Sequence, residues 1–174
     1  LLWWLTFKQR DELAELLLNV PAPSELPQYA WLAVGMIISA TGFTYLMYYP
    51  LSFIAPDLVQ SWLLDSPALF YWDEQGYYWL GNLLAVIGAV IFAPVVEEFI
   101  FRGYLLNRWT LRLGAIPAVI LSSGLFAFLH SDMLGALVFG IIQCLLYMKT
   151  RSLIGPILVH FFNNVIAVSI EWMD

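Results

Sequence analysis

The sequence predicts an all-α protein, a polytopic transmembrane helical bundle with about five membrane spans and an N-terminal interfacial helix. Of the 174 residues, 61% are hydrophobic and only 11% are charged, and the mean hydropathy is +0.79. These values lie far outside the range of soluble domains. The apolar runs are long and unbroken, whereas a transmembrane barrel would alternate apolar and polar residues over strands of about ten residues. Each helical crossing takes about 20 apolar residues, so a chain of this length holds one bundle.

The first predicted region, residues 1–28, is an amphipathic interfacial helix followed by a linker. Residues 7–20, FKQRDELAELLLNV, place Leu13 and Leu17 on one helical face with charged residues opposite. The proline-rich PAPSELP that follows is typical of a linker. The N-terminus lacks the basic region and small-residue cleavage site of a signal peptide, and we expect the sequence to be a piece of a longer protein.

The second predicted region, residues 29–174, is the transmembrane bundle of an integral, multi-pass membrane protein. Lys and Arg residues cluster before the first apolar run, after the second and after the fourth, which places the N-terminus in the cytoplasm and the C-terminus outside. The acidic, aromatic segment 50–76 is expected to be an external loop or interfacial helix. The third and fourth runs are short for a crossing, so the turn between them is expected inside the membrane, beside a polar cavity. The apolar runs are 29–49, 77–106, 116–130, 133–148 and 153–170.

Three polar side chains from different runs are expected at a similar depth in the bilayer. At ~1.5 Å per helical residue from the nearest basic residue, Glu97 lies roughly 17 Å deep and His160 roughly 14 Å deep. His130 lies about 20 Å along its run if Pro117 is the first helical residue. All three estimates fall near the middle of a ~30 Å hydrocarbon core. Unpaired ionisable groups there cost several kcal/mol, so these residues are functional-site candidates.

Helical spacing predicts how the polar residues are arranged. Glu98 and Arg102 are four residues apart and can form an ion pair, structural or supporting, whereas Glu97 is rotated by ~100° and has no obvious local partner. His160 and Asn164 are also four apart, which makes Asn164 a candidate oxyanion donor. A single membrane histidine is often only an interhelical hydrogen-bonding group. Two histidines at the depth of Glu97 favour a functional site instead.

A glutamate, two histidines and an asparagine around a wet cavity can hydrolyse an amide bond. Glu97 can act as general base for water, with His130 orienting that water or shuttling the proton. His160 and Asn164 can donate hydrogen bonds to the developing oxyanion. No cofactor is expected, but zinc is possible, because Glu97, His130 and His160 could bind Zn²⁺ instead. The residues alone leave both chemistries open.

Other motifs that would predict a different chemistry are missing from the sequence. It has no HExxH helix and no glycine-rich phosphate loop. The stretch LSSGLFAFLH lacks the first glycine of a GxSG serine-protease motif, so Ser122, Ser123 and Gly124 are interpreted as small residues at a helix contact. Cys144 is the only cysteine and has no internal disulfide partner. Seven Lys and Arg residues and a formal net charge of −6 argue against nucleic acid as a partner.

Three spaced motifs resemble those of a known protease family. EEFIFR (97–102), FAFLH (126–130) and HFFNN (160–164) match in order and spacing the EExxxR, FxxxH and HxxxN motifs of the CAAX-protease and bacteriocin-processing family, also called the Abi family. The match covers about residues 80–170, which we take as the protease-like core. The resemblance implies an all-helical intramembrane protease related to the type II enzymes that trim prenylated CAAX proteins.

The resemblance also implies a role for each candidate site residue. It favours a glutamate-type, metal-free peptidase, although the family was long described as metalloproteases. Its expected partners are a membrane-associated peptide or protein substrate and the lipid bilayer. The implied roles are water activation by Glu97 and His130, oxyanion stabilisation by His160 and Asn164, and support by Glu98 and Arg102.

Two classes of function are compatible with these residues. The first is an intramembrane endopeptidase that hydrolyses a peptide bond of a membrane-associated protein or peptide. The second is a non-catalytic membrane protein, either a bacteriocin-immunity or scaffold component or a proton-coupled transporter that uses the Glu and His residues as a relay. A transporter would more often show paired repeats and broken helices in both halves, and no such repeat is visible in the sequence.

Overall fold

A computed structural model describes residues 26–60 and 79–173, together with Ala22 and Ser24. Within these residues the chain forms helices and no strand, so the predicted all-α bundle is confirmed. The interfacial helix predicted at 7–20 lies outside the described residues. The helices are α1 (Leu26–Ile54), α2 (Pro56–Val59), α3 (Trp79–Leu113), α4 (Ala115–Phe128), α5 (Met133–Thr150) and α6 (Ile154–Met173).

Helix α3 is one continuous helix that contains two π-helical segments, Gly88–Phe92 and Phe99–Leu106. Between them lies a short α-helical segment, Ala93–Glu98, which carries Pro94 in its first turn. The proline has no N–H to donate, which weakens the regular hydrogen-bond ladder at this point. The structure changes from π-helix to α-helix at this point. Single π turns occur often at functional sites because they re-aim the side chains that follow.

Short, specific signals set the boundaries of α4 and α5. Gly114 separates α3 from α4 with a φ of +87°, a conformation that favours glycine. Helix α4 begins at Ala115, two positions before Pro117, which the depth estimate for His130 assumed to be the first helical residue. A proline is tolerated there because the first N–H groups of a helix have no intrahelical partner. Asp132 caps α5 and accepts a hydrogen bond from the Gly135 N–H at 3.0 Å.

Within the described residues, three helices are long and apolar enough to cross a bilayer. They are Trp79–Leu113, Met133–Thr150 and Ile154–Glu171. Helix α5 has 18 residues, so the prediction that the fourth run is too short to cross is wrong, because Lys149 and Thr150 continue the helix. Helix α4, with 14 residues, is short as predicted. The five-span topology stays a prediction.

The hydrophobic core lies where five helices meet. Helix α4 packs most extensively against α5, helix α1 packs against α5 and α6, and α6 crosses the middle of α3. The four-residue turn 129–132 keeps α4 and α5 adjacent. Each of these helices contributes at least one buried apolar side chain to a common cluster. The cluster consists of Met36, Phe101, Phe126, Phe139, Leu146 and Val159.

Candidate active site

The structure brings together Glu97 of α3, His130 of the turn after α4, and His160 of α6. The Oε2 atom of Glu97 lies 3.8 Å from Nε2 of His130 and 3.9 Å from Nε2 of His160. Glu97 and His130 are partly exposed, at 29% and 34% of their side-chain surface, whereas His160 is 4% exposed. Three ionisable groups that are distant in sequence therefore meet around Glu97 Oε2, an atom that is buried and has no hydrogen-bond partner.

Glu98 and Arg102 form a fully buried ion pair directly beside this position. Arg102 Nη1 donates to Glu98 Oε1 at 2.8 Å, and both side chains are 0% exposed. Arg102 Nη2 also donates to the backbone oxygen of Gly140 in α5 at 3.2 Å. The guanidinium carbon lies 4.6 Å from the centre of the Phe126 ring, a cation–π contact. The pairing predicted from the four-residue spacing is therefore present, and it links α3 to α4 and α5.

The hydrogen bonds of the two imidazole Nδ1 atoms determine their tautomers. His130 Nδ1 lies 2.7 Å from the backbone oxygen of Phe126. His160 Nδ1 lies 2.8 Å from Glu98 Oε1, which already accepts from Arg102. Both partners accept hydrogen bonds, so each Nδ1 carries the hydrogen, and in a neutral ring Nε2 is then an acceptor. Both acceptor nitrogens point at Glu97.

Aromatic rings hold the two imidazoles in place. The Phe126 ring stacks on the His130 ring with centroids 4.2 Å apart and an interplanar angle of 28°. The Phe139 ring contacts the edge of His160, with centroids 5.0 Å apart at 68°. Because Phe126 also contacts Arg102, one buried ring touches both the ion pair and His130. The FAFLH motif thus supplies both a histidine and the ring that orients it.

Asn164 lies one helical turn beyond His160 and binds the first π segment of α3. Its Nδ2 donates to the backbone oxygen of Ala89 at 2.8 Å, and its Oδ1 accepts from Asn163 at 3.2 Å. An amide nitrogen carries two hydrogens, so one N–H of Asn164 remains for another acceptor. This hydrogen bond fixes the orientation of the amide.

The structure adds two groups to the surroundings of the candidate site that the sequence did not predict. They are the side chain of Gln143 and the backbone carbonyl of Gly140. Gln143 Nε2 lies 3.0 Å from the Pro156 backbone oxygen and 3.4 Å from Glu98 Oε1, and the residue is fully buried. Gln143 was detectable as a polar residue inside the apolar run GIIQCLL. The Gly140 carbonyl carried no sequence signal, because any residue has one.

Ser122 and Ser123 lie at helix contacts, as the sequence analysis predicted, but the prediction is wrong for Gly124, where an added Cβ would meet no atom within 4 Å. Ser122 Oγ donates to the backbone oxygen of Phe101 at 3.0 Å, and Ser123 Oγ lies 3.6 Å from Cys144 Sγ. A Cβ added at Gly140 would lie 3.1 Å from Ser123 Cα, so α4 and α5 approach closely there. Both serines are fully buried. These contacts indicate that both serines take part in helix packing and that neither is a serine nucleophile.

The donor set suggested for zinc is chemically suitable, but its spacing is wide. Two ligand atoms of a tetrahedral zinc site with bonds of about 2.0–2.1 Å lie about 3.4 Å apart. The Nε2 atoms of His130 and His160 lie 3.8 and 3.9 Å from Glu97 Oε2. Across the part of the chain that the structure describes, no group of three or more His, Cys, Asp or Glu side chains is arranged to hold a metal ion. The ligand atoms of Glu97, His130 and His160 are therefore too widely spaced for a tetrahedral zinc site.

Comparison with known proteins gives one match. Residues 79–166 match the family model described as type II CAAX prenyl endopeptidase Rce1-like. The matched segment begins with α3, includes all of α4 and α5 and ends within α6, so it contains every residue of the candidate site. No curated protein and no solved structure matches the chain significantly.

Proposed function

The chain belongs to the type II CAAX prenyl endopeptidase Rce1-like family, and from this premise we propose that it is an intramembrane endopeptidase that hydrolyses a peptide bond of a membrane-associated protein or peptide. The family supports protease activity and a membrane-associated substrate. The observation that carries the proposed mechanism is the meeting of Glu97, His130 and His160, with both Nε2 atoms directed at one carboxylate oxygen.

The first step is activation of a water molecule by Glu97. A carboxylate oxygen and a neutral Nε2 are both acceptors and do not bond to each other, which agrees with the 3.8 Å between Glu97 Oε2 and His130 Nε2. A water about 2.8 Å from both atoms can donate one hydrogen to each. Its oxygen lone pair is then free to attack the substrate carbonyl carbon. Glu97 takes the proton as the new C–O bond forms.

The second step is stabilisation of the negative charge on the carbonyl oxygen. The remaining N–H of Asn164 is one candidate donor. His160 can be the other only as an imidazolium, because its Nδ1 hydrogen is already directed at Glu98. The Glu98 carboxylate, 2.8 Å from Nδ1, stabilises that positive charge. The C–N bond then breaks, and Glu97 returns its proton to the departing amine.

The proposed mechanism uses no metal ion and no cofactor. The wide spacing of the three zinc-binding candidates supports this choice. A chelation experiment tests it directly. Activity that strong chelators abolish and zinc restores would contradict the metal-free mechanism, whereas activity that survives chelation agrees with it.

The proposed function is tested by cleavage of a defined peptide. The full chain in nanodiscs is incubated with a quenched fluorescent CAAX peptide, farnesylated in one sample and unmodified in the other. We expect cleavage by the wild-type protein and none by His130→Ala, which removes the imidazole but not the Phe126 ring that packs beside it. Equal cleavage by the two proteins would contradict the proposal. Cleavage of only the farnesylated peptide would assign prenylated substrates to this chain.

A further inference from the structure

Gln143 is a buried polar residue of α5, a core helix that supplies no catalytic group in the proposed mechanism. It lies in the middle of α5 and is 0% exposed. Its neighbours in the sequence, GIIQCLL, are apolar. Burying an amide without hydrogen-bond partners is costly, so a glutamine at this position indicates a specific contact.

The two contacts of Gln143 fix the orientation of its amide. Its Nε2 lies 3.0 Å from the Pro156 backbone oxygen and 3.4 Å from Glu98 Oε1. A backbone oxygen and a carboxylate oxygen paired with a guanidinium both accept hydrogen bonds. The opposite orientation would direct Gln143 Oε1 at two oxygens. The nitrogen therefore faces Glu98 and Pro156, and Gln143 acts as a donor to both.

These contacts link Gln143 to the orientation of His160. Glu98 Oε1 receives Arg102 Nη1 and His160 Nδ1, both at 2.8 Å, in addition to Gln143 Nε2. Pro156 lies in the first turn of α6, four residues before His160 and therefore on the same face of that helix. Gln143 thus holds both the carboxylate that orients the imidazole and the helical turn that precedes it.

We propose that Gln143 is a positioning residue for hydrolysis, which acts through Glu98 and Pro156 to hold His160 Nε2 where it can donate to the developing oxyanion. This inference rests on the proposed function, because it assigns a role in that reaction. As an uncharged donor, Gln143 adds a hydrogen bond to Glu98 without adding a second positive charge beside Arg102. Substitution by methionine keeps the approximate length of the side chain and removes the donor.

The test compares Gln143→Met and Gln143→Leu with Cys144→Ala, a neighbouring and equally buried residue of α5 that contacts Ser123. Each full-length variant is labelled with ¹⁵N-histidine in nanodiscs. The chain has only two histidines, so His130→Ala assigns both sets of ring signals. Kinetics on the peptide substrate are measured in the same samples, and circular dichroism checks that each variant is folded.

We expect both Gln143 variants to shift or split the His160 ring signals and to leave those of His130 unchanged. We expect their kcat to fall about tenfold with little change in KM. This factor corresponds to the loss of one hydrogen bond to a charged group. Cys144→Ala leaves the signals and kcat at wild-type values. Unchanged His160 signals in folded Gln143 variants would overturn the proposal, and so would shifted signals with unchanged kcat.

Loss of the fold in both Gln143 variants would also overturn the proposal, because Gln143 would then be needed for folding. The NMR measurement uses no substrate, so it remains decisive if the wild-type protein cleaves no peptide. Absence of wild-type cleavage would contradict the proposed function, whereas unperturbed His160 signals would contradict only the role of Gln143. The two failures are therefore distinguishable.

Discussion

The adjacent residues Glu97 and Glu98 lie in two contrasting regions. Glu98 belongs to a buried network, which we define as Glu98, Arg102, Gln143 and Nδ1 of His160, in which one carboxylate oxygen has three donors within 3.4 Å. Glu97 and His130 form an open side, where exposures are 29% and 34% and the closest ionisable atoms are 3.8 Å apart. The hydrogen bonds of the network fix its side chains in place. On the open side, Glu97 Oε2 is a buried atom with no hydrogen-bond partner, and the proposed mechanism places its water there.

Glu97 and Glu98 have the same side chain, but their different surroundings give them different expected roles. A buried ion pair contributes little net stability, but removal of one partner leaves an uncompensated charge and costs several kcal/mol. We therefore expect substitutions of the two charged residues of the buried network, Glu98 and Arg102, to reduce stability first and activity as a consequence. Substitutions on the open side should reduce activity and leave the fold intact. Four substitutions test this difference between the two regions.

Glu97→Gln should have the largest effect, because it removes the proposed general base. We expect kcat to fall by about 10²- to 10⁴-fold, the range for loss of a general acid–base group. Thermal unfolding in nanodiscs should change little, because the Nε2 atoms of His130 and His160 lie 3.8 and 3.9 Å from Glu97 Oε2, beyond hydrogen-bonding distance. Asp57→Asn, an exposed acid-to-amide change in α2, serves as the control for kcat. Near wild-type turnover by Glu97→Gln would remove Glu97 from the mechanism.

Arg102→Met should have the largest effect on stability. It leaves Glu98 buried without its cation, and we expect the free energy of unfolding to fall by about 3–5 kcal/mol. The control is Arg112→Met, which changes an exposed arginine near the end of the same helix and should have little effect. Reversible unfolding by steric trapping measures both. An equal loss in the two variants would mean that the buried network is no more important than the helix surface.

Asn164→Ala tests the proposed oxyanion donor. Loss of one such donor lowers kcat by about 10²- to 10³-fold in other hydrolases. The matched control is Asn163→Ala, which removes only the 3.2 Å hydrogen bond to Asn164 Oδ1 and should lower kcat far less. Steady-state kinetics on the same peptide separate kcat from KM. A change confined to KM would assign Asn164 to substrate binding.

Gly140→Ala should have the smallest effect of the four. The new Cβ would lie 3.1 Å from Ser123 Cα, and we expect overpacking to cost about 1–3 kcal/mol of stability. In α4, Gly124→Ala meets no atom within 4 Å and should instead stabilise the helix by up to about 1 kcal/mol. Thermal unfolding of the two variants should therefore shift in opposite directions. Equal shifts would mean that α4 and α5 are not closely packed at Gly140.

The sequence was sufficient for the fold class and for the pairing of Glu98 with Arg102. Apolar runs predict helices because each crossing must satisfy its backbone internally. A four-residue spacing predicts a pair because such residues share a helical face, and the 2.8 Å bond agrees with this. Matched depths also suggested that Glu97, His130 and His160 could meet. Depth in the bilayer is only one of three coordinates. The directions in which the side chains point could be seen only in the folded structure.

The remaining features depend on tertiary contacts that leave little trace in the sequence. The π segments of α3 expose backbone oxygens at Ala89 and Phe101, which side chains from α6 and α4 satisfy. Nothing in GAVIF or FIFRGYLL predicts these wider turns. The carbonyl of Gly140 accepts a hydrogen bond from Arg102 only because α5 packs close to α3. The roles of the site residues stay predictions until kinetics test them.

The most direct test of the proposed metal-free site is an experimental structure of the wild-type chain in lipid, at a resolution that shows ordered water. We expect one water within hydrogen-bonding distance of Glu97 Oε2 and of at least one imidazole Nε2, with His130 Nδ1 bonded to the Phe126 backbone oxygen and His160 Nδ1 bonded to Glu98. A metal ion bound by Glu97, His130 and His160 at about 2.0–2.1 Å would contradict the metal-free mechanism. Side chains of Glu97 and the two histidines that point apart would contradict the site itself.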